Sequence, residues 1–152
     1  MNPHRKYLEA KVRTARPEAL MLMLFDGAIG NSTLAKTKLA ERDYAGSCDL
    51  LVRSQKIMLE LIGALKPEDL GQDIFQKLSG HYWFVHGRLV QANCDHRTQW
   101  IDEALFILNQ IRDNWARAIA EGESQASASA APSKEAAGVL VAGVVPSLNL
   151  EG

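Results

Sequence analysis

Most of what could link, steer or anchor this chain is scarce in it. Cysteine occurs only twice, at Cys48 and Cys94, both inside helix-like stretches, so the composition reads as that of a reduced, cytoplasmic protein. Charge of one sign is lacking too: 17 basic residues against 18 acidic give a formal net charge of −1, with no basic footprint for nucleic acid or anionic lipid. Aromatic residues make up 7% of the chain and are not interleaved with basic ones, which argues against stacking on single-stranded nucleic acid. No apolar run is long enough to cross a membrane. The segment AAGVLVAGVV near the C-terminus has about half the required length and is interrupted by Gly138 and Gly143, which excludes membrane insertion. The opening MNPHRKYLEAK has no apolar run that could serve as a signal peptide.

Catalytic patterns are equally sparse. No serine sits in a nucleophile elbow, no glycine cluster cradles phosphate, and the carboxylates follow helix-surface spacing, so no catalytic residue and no enzyme activity is expected. His81, His86, Cys94 and His96 are ligand-type residues, but they lack a paired C-x-x-C or two histidines four apart on a helix. The expectation is no metal site and no cofactor, with His81 an interior histidine on its helix seam and His86 at the edge of that face.

What the 152 residues do contain is helical periodicity, with 47% hydrophobic content, enough for one modest core. The stretch LMLMLFDGAIG, residues 20–30, poses the sharpest choice, because Asp26-Gly27 is a dipeptide of tight turns. Strict alternation is missing, no other segment offers a strand partner, and Pro17-Glu18 opens a helix in the ordinary way. Read as a helix, the segment puts Leu20, Leu24, Ala28, Ala35 and Leu39 in one arc, with Asp26, Thr33 and Thr37 opposite. A second helix over 43–65 puts Tyr44, Cys48, Leu51, Val52, Leu59 and Ile62 on one face, and KPEDLGQD closes it. A third over 70–93 stacks Ile74, Leu78, His81, Val85, Leu89 and Ala92. A fourth over 98–120 stacks Ile101, Leu105, Leu108, Ile111, Trp115 and Ile119. Short connections make neighbours antiparallel, so the expected fold is all-α, an antiparallel four-helix bundle. Residues 1–16 form an N-terminal arm, 17–120 the bundle, and 121–152 a flexible linker and apolar tail with room for a short extra helix.

Apolar residues are left over once these seams are assigned. Leu50, Ile57, Leu61 and Ala64 form a second stripe on the second helix, Trp83 and Val90 face away from the third seam, and Phe106 does so on the fourth. Two readings stand: oblique packing or the tail covers them, or they form a groove for an apolar, helix-forming partner. Self-association through the Leu50, Ile57 and Leu61 stripe, as a homodimeric structural or regulatory helical protein, is the alternative to a foreign partner.

Three stretches resemble the flagellin export chaperone family, FliS: YLEAKVRTARPEALMLMLFDGAI at 7–29, HYWFVHGRLVQAN at 81–93 and ALFILNQIRDNWARA at 104–118. Their motif positions include Asp26, Gly27, Arg88 and Asn93. The resemblance implies a cytoplasmic helical bundle, without enzyme activity, that binds the C-terminal segment of flagellin, prevents its polymerisation and delivers it to the flagellar export apparatus. It further implies that an arm carrying Tyr7 and Val12 folds over part of the empty client surface. The chain departs from the family pattern at Gly30-Asn31-Ser32, where a kink or early cap would fall; the helix is expected to run through Ala40. The tail, with VLVAGVVPSLNL, looks loosely like an apolar client segment, which suggests docking in the chaperone's own groove.

Overall fold

Prolines, an aspartate and left-handed residues set the helix boundaries. A computed structural model describes residues 3–14 and 16–128. Among the described residues the helices are α1 (Pro3–Thr14), α2 (Pro17–Ala40), α3 (Tyr44–Ala64), α4 (Pro67–Leu70), α5 (Gln72–Asp95) and α6 (Thr98–Ala128). Pro17 and Pro67 occupy the first turns of α2 and α4, where a missing N–H costs nothing. The Asp43 side chain caps α3 by accepting the Gly46 N–H at 2.9 Å. Gly71, at φ 83°, separates the single turn α4 from α5, so KPEDLGQD is a loop with a helical turn inside it.

The fold is all-α. Helices α2, α3, α5 and α6 form a closed ring in which α2 packs on α3 and α6, α3 on α5, and α5 on α6. Residue numbers rise along α2 as they fall along α6 in two ion pairs, Asp26 with Arg112 at 2.9 Å and Lys36 with Asp102 at 2.6 Å. The two helices are therefore antiparallel. At one end of the bundle the connections 41–43 and 96–97 each contain a left-handed non-glycine residue, Arg42 at φ 61° and His96 at φ 59°. There the Tyr44 and His96 rings lie 4.5 Å apart, joining the two connections.

The seams differ from the simple helical arcs. Buried positions recur at alternating three- and four-residue spacings: Phe25, Ala28, Ser32, Ala35 and Leu39 on α2; Ser47, Leu51, Ser54, Met58 and Leu61 on α3; Leu78, Tyr82, Val85, Leu89 and Ala92 on α5. On α6 they are Ile101, Ala104, Leu108, Ile111, Asn114 and Ala118, where two three-residue steps follow one another at Leu108, Ile111 and Asn114. This is the coiled-coil period of 3.5, which drifts from a 3.6 arc by about 20° per heptad. Serines carry part of the seam. Ser32 Oγ donates to Ser54 Oγ at 3.0 Å, and Ser54 Oγ donates to the Ala28 carbonyl at 3.0 Å, so both hydroxyls are buried with partners.

The consequence for α3 is a rotation. Tyr44, Cys48 and Leu59, expected inside, are exposed; Leu61, expected on an outward stripe, is fully buried, and Leu50 and Ile57 pack half-buried against the core. The apolar count went astray because Ser47 and Ser54 look like surface residues and are not. On α5 the interior residue is Tyr82 rather than His81, and its ring meets Phe25 edge-on at 6.2 Å. Burial pushes the Tyr82 phenol up, so it stays protonated throughout the physiological range.

Helix α2 runs unbroken through Gly30 to Ala40, as expected, and Asp26-Gly27 is not a turn. Asp26 points to α6, where Arg112 meets it, and Gly27 lies against α3, where a Cβ would stand 3.3 Å from Ile57 Cδ1. Helix α6 continues through Ala128, past the expected linker boundary at 120. Alanine, glutamate and glutamine propagate a helix already nucleated by the bundle. The expected tail beyond 128 lies outside the described residues.

These contacts predict opposite results for two glycines. Nothing lies within 4 Å of a Cβ at Gly30, so Gly30→Ala should raise stability in urea by about 0.5–1 kcal/mol. Gly27→Ala should gain less until Ile57→Val removes the facing methyl. Leu61→Ala should cost about 2–5 kcal/mol, the cost of a core cavity.

Candidate partner-binding surface

The outward face of α5 carries large apolar groups that the core does not use. Trp83 is 49% exposed, Phe84 39% and Val90 37%. Trp83 and Val90 lie seven residues apart on one helix face, with Gly87 between them and Gly80 before them. Neither glycine has an atom within 4 Å of where a Cβ would be, so nothing in the folded chain requires a bare backbone there. On the flanking helices Leu59 of α3 and Phe106 of α6 are also exposed. Of these, Phe84 and Phe106 line a common space between two helices, and apolar surface shared in that way marks interaction sites.

Between α5 and α6, Phe84, Asp102, Glu103, Phe106 and Ile107 line an open groove of ≈ 360 Å³. Arg88 organises its α5 wall. Its guanidinium lies 4.6 Å from the Phe84 ring centroid and 5.0 Å from that of Trp100. Its Nε is 3.3 Å from Glu103 Oε2, an ion pair whose angles miss hydrogen-bond geometry, and its Nη1 donates to Gln91 at 3.2 Å. Trp100 is held in turn by its indole N–H, which donates to Asp95 at 2.7 Å. Thus the motif position Arg88 positions aromatic surface, while Asn93 is half-buried toward the end of the same helix.

A second apolar recess lies at the opposite end of the bundle from the Tyr44–His96 stack. Met21, Ala64, Leu65, Lys66, Asp69, Leu70, Leu78, Tyr82 and Trp115 line a pocket of ≈ 200 Å³. Trp115 is fixed at its margin by donating its indole N–H to the Glu18 carbonyl at 3.3 Å. The α1 helix enters the bundle at this end, and its Tyr7 is 64% exposed. Val12 lies in the same helix.

The structure therefore separates the sequence-nominated residues. Trp83 and Val90 share one outward face; Ala64 belongs to the end pocket; Tyr7 is exposed on the arm; Leu50 and Ile57 are half-buried beside the core. Leu61 is withdrawn from the surface set because it is core. Phe84 and Leu59 join the exposed set. Phe84 directly follows Trp83 and belongs to neither the expected seam nor the expected stripe, although two adjacent large aromatics cannot share one seam position. Among the described residues no group of three or more His, Cys, Asp or Glu could hold a metal ion, and no helix is long and apolar enough to cross a membrane.

The profile of the family described as flagellar protein FliS matches residues 1–122. The chain is 30% identical over 118 residues to the flagellar secretion chaperone FliS of Bacillus subtilis, covering 78% of this chain and 86% of that protein. With the flagellar secretion chaperone FliS of Salmonella typhimurium the identity is 31% over 108 residues, covering 71% and 80%. With the flagellar secretion chaperone FliSB of Pseudomonas aeruginosa it is 25% over 111 residues, covering 71% and 85%.

His86 reports on the exposed face. Its ring meets Trp83 edge-on at 5.5 Å, and burial lowers its pKa from the ordinary histidine value by disfavouring the charged form. A lowered folded-state pKa means that the unfolded chain binds the proton first, so acidification below about 6.5 removes stability. An NMR titration of the His86 ring should show a midpoint below about 6.5, and His86→Gln should remove that part of the acid destabilisation.

Proposed function

The chain belongs to the FliS family of flagellar secretion chaperones, a family of chaperones and not of enzymes, and we propose that it binds the C-terminal segment of flagellin in the cytoplasm. In this reading it holds that segment unable to polymerise and delivers it to the flagellar export apparatus. The observation that carries the proposal is the outward face of α5, with Trp83, Phe84 and Val90 exposed beside open glycines.

Each part of that face has a use in such binding. A client segment that is unfolded alone gives up conformational entropy on ordering and must recover it from apolar burial. Exposed aromatic and branched side chains supply the area, and tryptophan is a frequent energetic anchor in interfaces. Gly80 and Gly87 leave notches on both sides of Trp83, so a partner helix can approach closely. Asp102 and Glu103 on the α5–α6 groove are already engaged by Lys36 and Arg88, which leaves the groove apolar in character rather than a magnet for free cations. The rigid ring beneath means that the surface is formed before the client arrives, which limits the ordering cost to the client.

The test is titration of the full chain with a flagellin C-terminal peptide, followed by calorimetry and by circular dichroism for helix gain. Trp83→Asp and Val90→Asp should each weaken binding by about tenfold or more while leaving the thermal midpoint nearly unchanged. Parallel losses of binding and stability would assign these residues to folding, and unaltered affinity in both variants would move the client elsewhere.

A further inference from the structure

The region shared with the family stops at residue 122, yet the sequence becomes apolar again at AAGVLVAGVV, residues 136–145. We propose that this segment docks in the pocket at the α1 end of the same bundle and, where it runs on from the pocket onto the outward face of α5, competes with a client for that face. Only the competition rests on the chaperone reading; the docking stands on the pocket and on the length of the chain.

The pocket suits such an occupant. At ≈ 200 Å³ it is smaller than the ~300–1,000 Å³ of ordinary small-molecule sites, and its walls are chiefly aliphatic and aromatic: Met21, Ala64, Leu65, Leu70, Leu78 and Trp115. Individual valine and leucine side chains match that size and polarity. Lys66 and Asp69 are the charged members of its lining, without an ion-pair partner among the described residues. Lys134-Glu135, an adjacent pair of the two opposite signs, immediately precedes the apolar run.

The distances agree. Helix α6 carries the chain away from the pocket, from Trp115 in its wall to Ala128, a rise of roughly 20 Å at about 1.5 Å per residue. Residues 129–135 can span roughly 23 Å when extended. The apolar run therefore begins where the spacer can just bring it back to the pocket, and it can continue onto the adjoining surface of α5. Because the spacer is drawn close to its full reach, the effective concentration lies below the roughly millimolar value of a slack linker, so the side chains that enter the pocket must themselves carry the docking.

The experiment places a spin label at Val141→Cys in the full chain carrying Cys48→Ser and Cys94→Ser, and records methyl NMR spectra. Docking predicts selective broadening of Met21, Ala64, Leu65 and Leu70, with Leu34 spared, and loss of that broadening when Leu140→Asp and Val144→Asp are added. Broadening absent from the pocket methyls, or unchanged by the two aspartates, overturns docking. Broadening of an isotope-labelled, spin-free chain by an unlabelled spin-carrying one assigns the tail to a second copy and overturns the intramolecular arrangement. The same two aspartates, in the chain without the label, should raise affinity for a flagellin C-terminal peptide several-fold. Equal affinity overturns competition, whereas a peptide that binds neither chain overturns the client assignment and leaves the NMR result intact.

Discussion

The α2–α3 contact depends on two hydroxyl groups 3.0 Å apart. A buried serine without a partner is costly, and a large side chain in its place would push the helices apart. Ser32 and Ser54 resolve both problems together, since each occupies little volume and Ser54 also satisfies itself on the Ala28 carbonyl. Their pairing fixes which line of α3 faces inward. Leu51, Met58 and Leu61 follow it into the core, Leu59 is turned out, and Ile57 comes to rest over Gly27. A different rotation of α3 would strand the serine hydroxyls among aliphatic groups, so a small polar contact dictates the placement of larger apolar ones.

The number, order and direction of the long helices were legible because they depend on long-range periodicity, prolines and short connections. Helix rotation was less so. Ser47, Ser54 and Asn114 look like surface residues, and Leu59 and Tyr44 look like core; only the neighbouring helix decides otherwise. The outward position of Trp83 and Val90 was legible because α5 has enough unmistakable core residues, Leu78, Val85, Leu89 and Ala92, to define its seam. The stripe on α3 was not, because Leu61 sits at its edge and the seam runs at 3.5 residues per turn. The end pocket was invisible: its walls come from α2, α3, α4, α5, α6 and the loop between α3 and α4, a convergence that no local pattern encodes.

Asp26 and Gly27 show how adjacent residues can serve different neighbours. Successive side chains on a helix point about 100° apart, and α2 has α6 on one side and α3 on the other. The aspartate reaches Arg112 across one seam; the absent glycine side chain makes room for Ile57 across the next. An exposed ion pair of this kind contributes little energy, about 0–1 kcal/mol, but together with Lys36–Asp102 it distinguishes the correct antiparallel register from slipped ones.

The two ends of the bundle are built unequally, and this gives the molecule a direction. At one end both connections are two or three residues long, carry left-handed Arg42 and His96, and are clasped by the Tyr44–His96 stack. At the other, α1 enters, α4 interrupts the path between α3 and α5, and the pocket leaves the interior partly open. Both the arm and the C-terminal length of α6 leave the bundle at that open end, so whatever either carries is presented beside the pocket and away from the clasp.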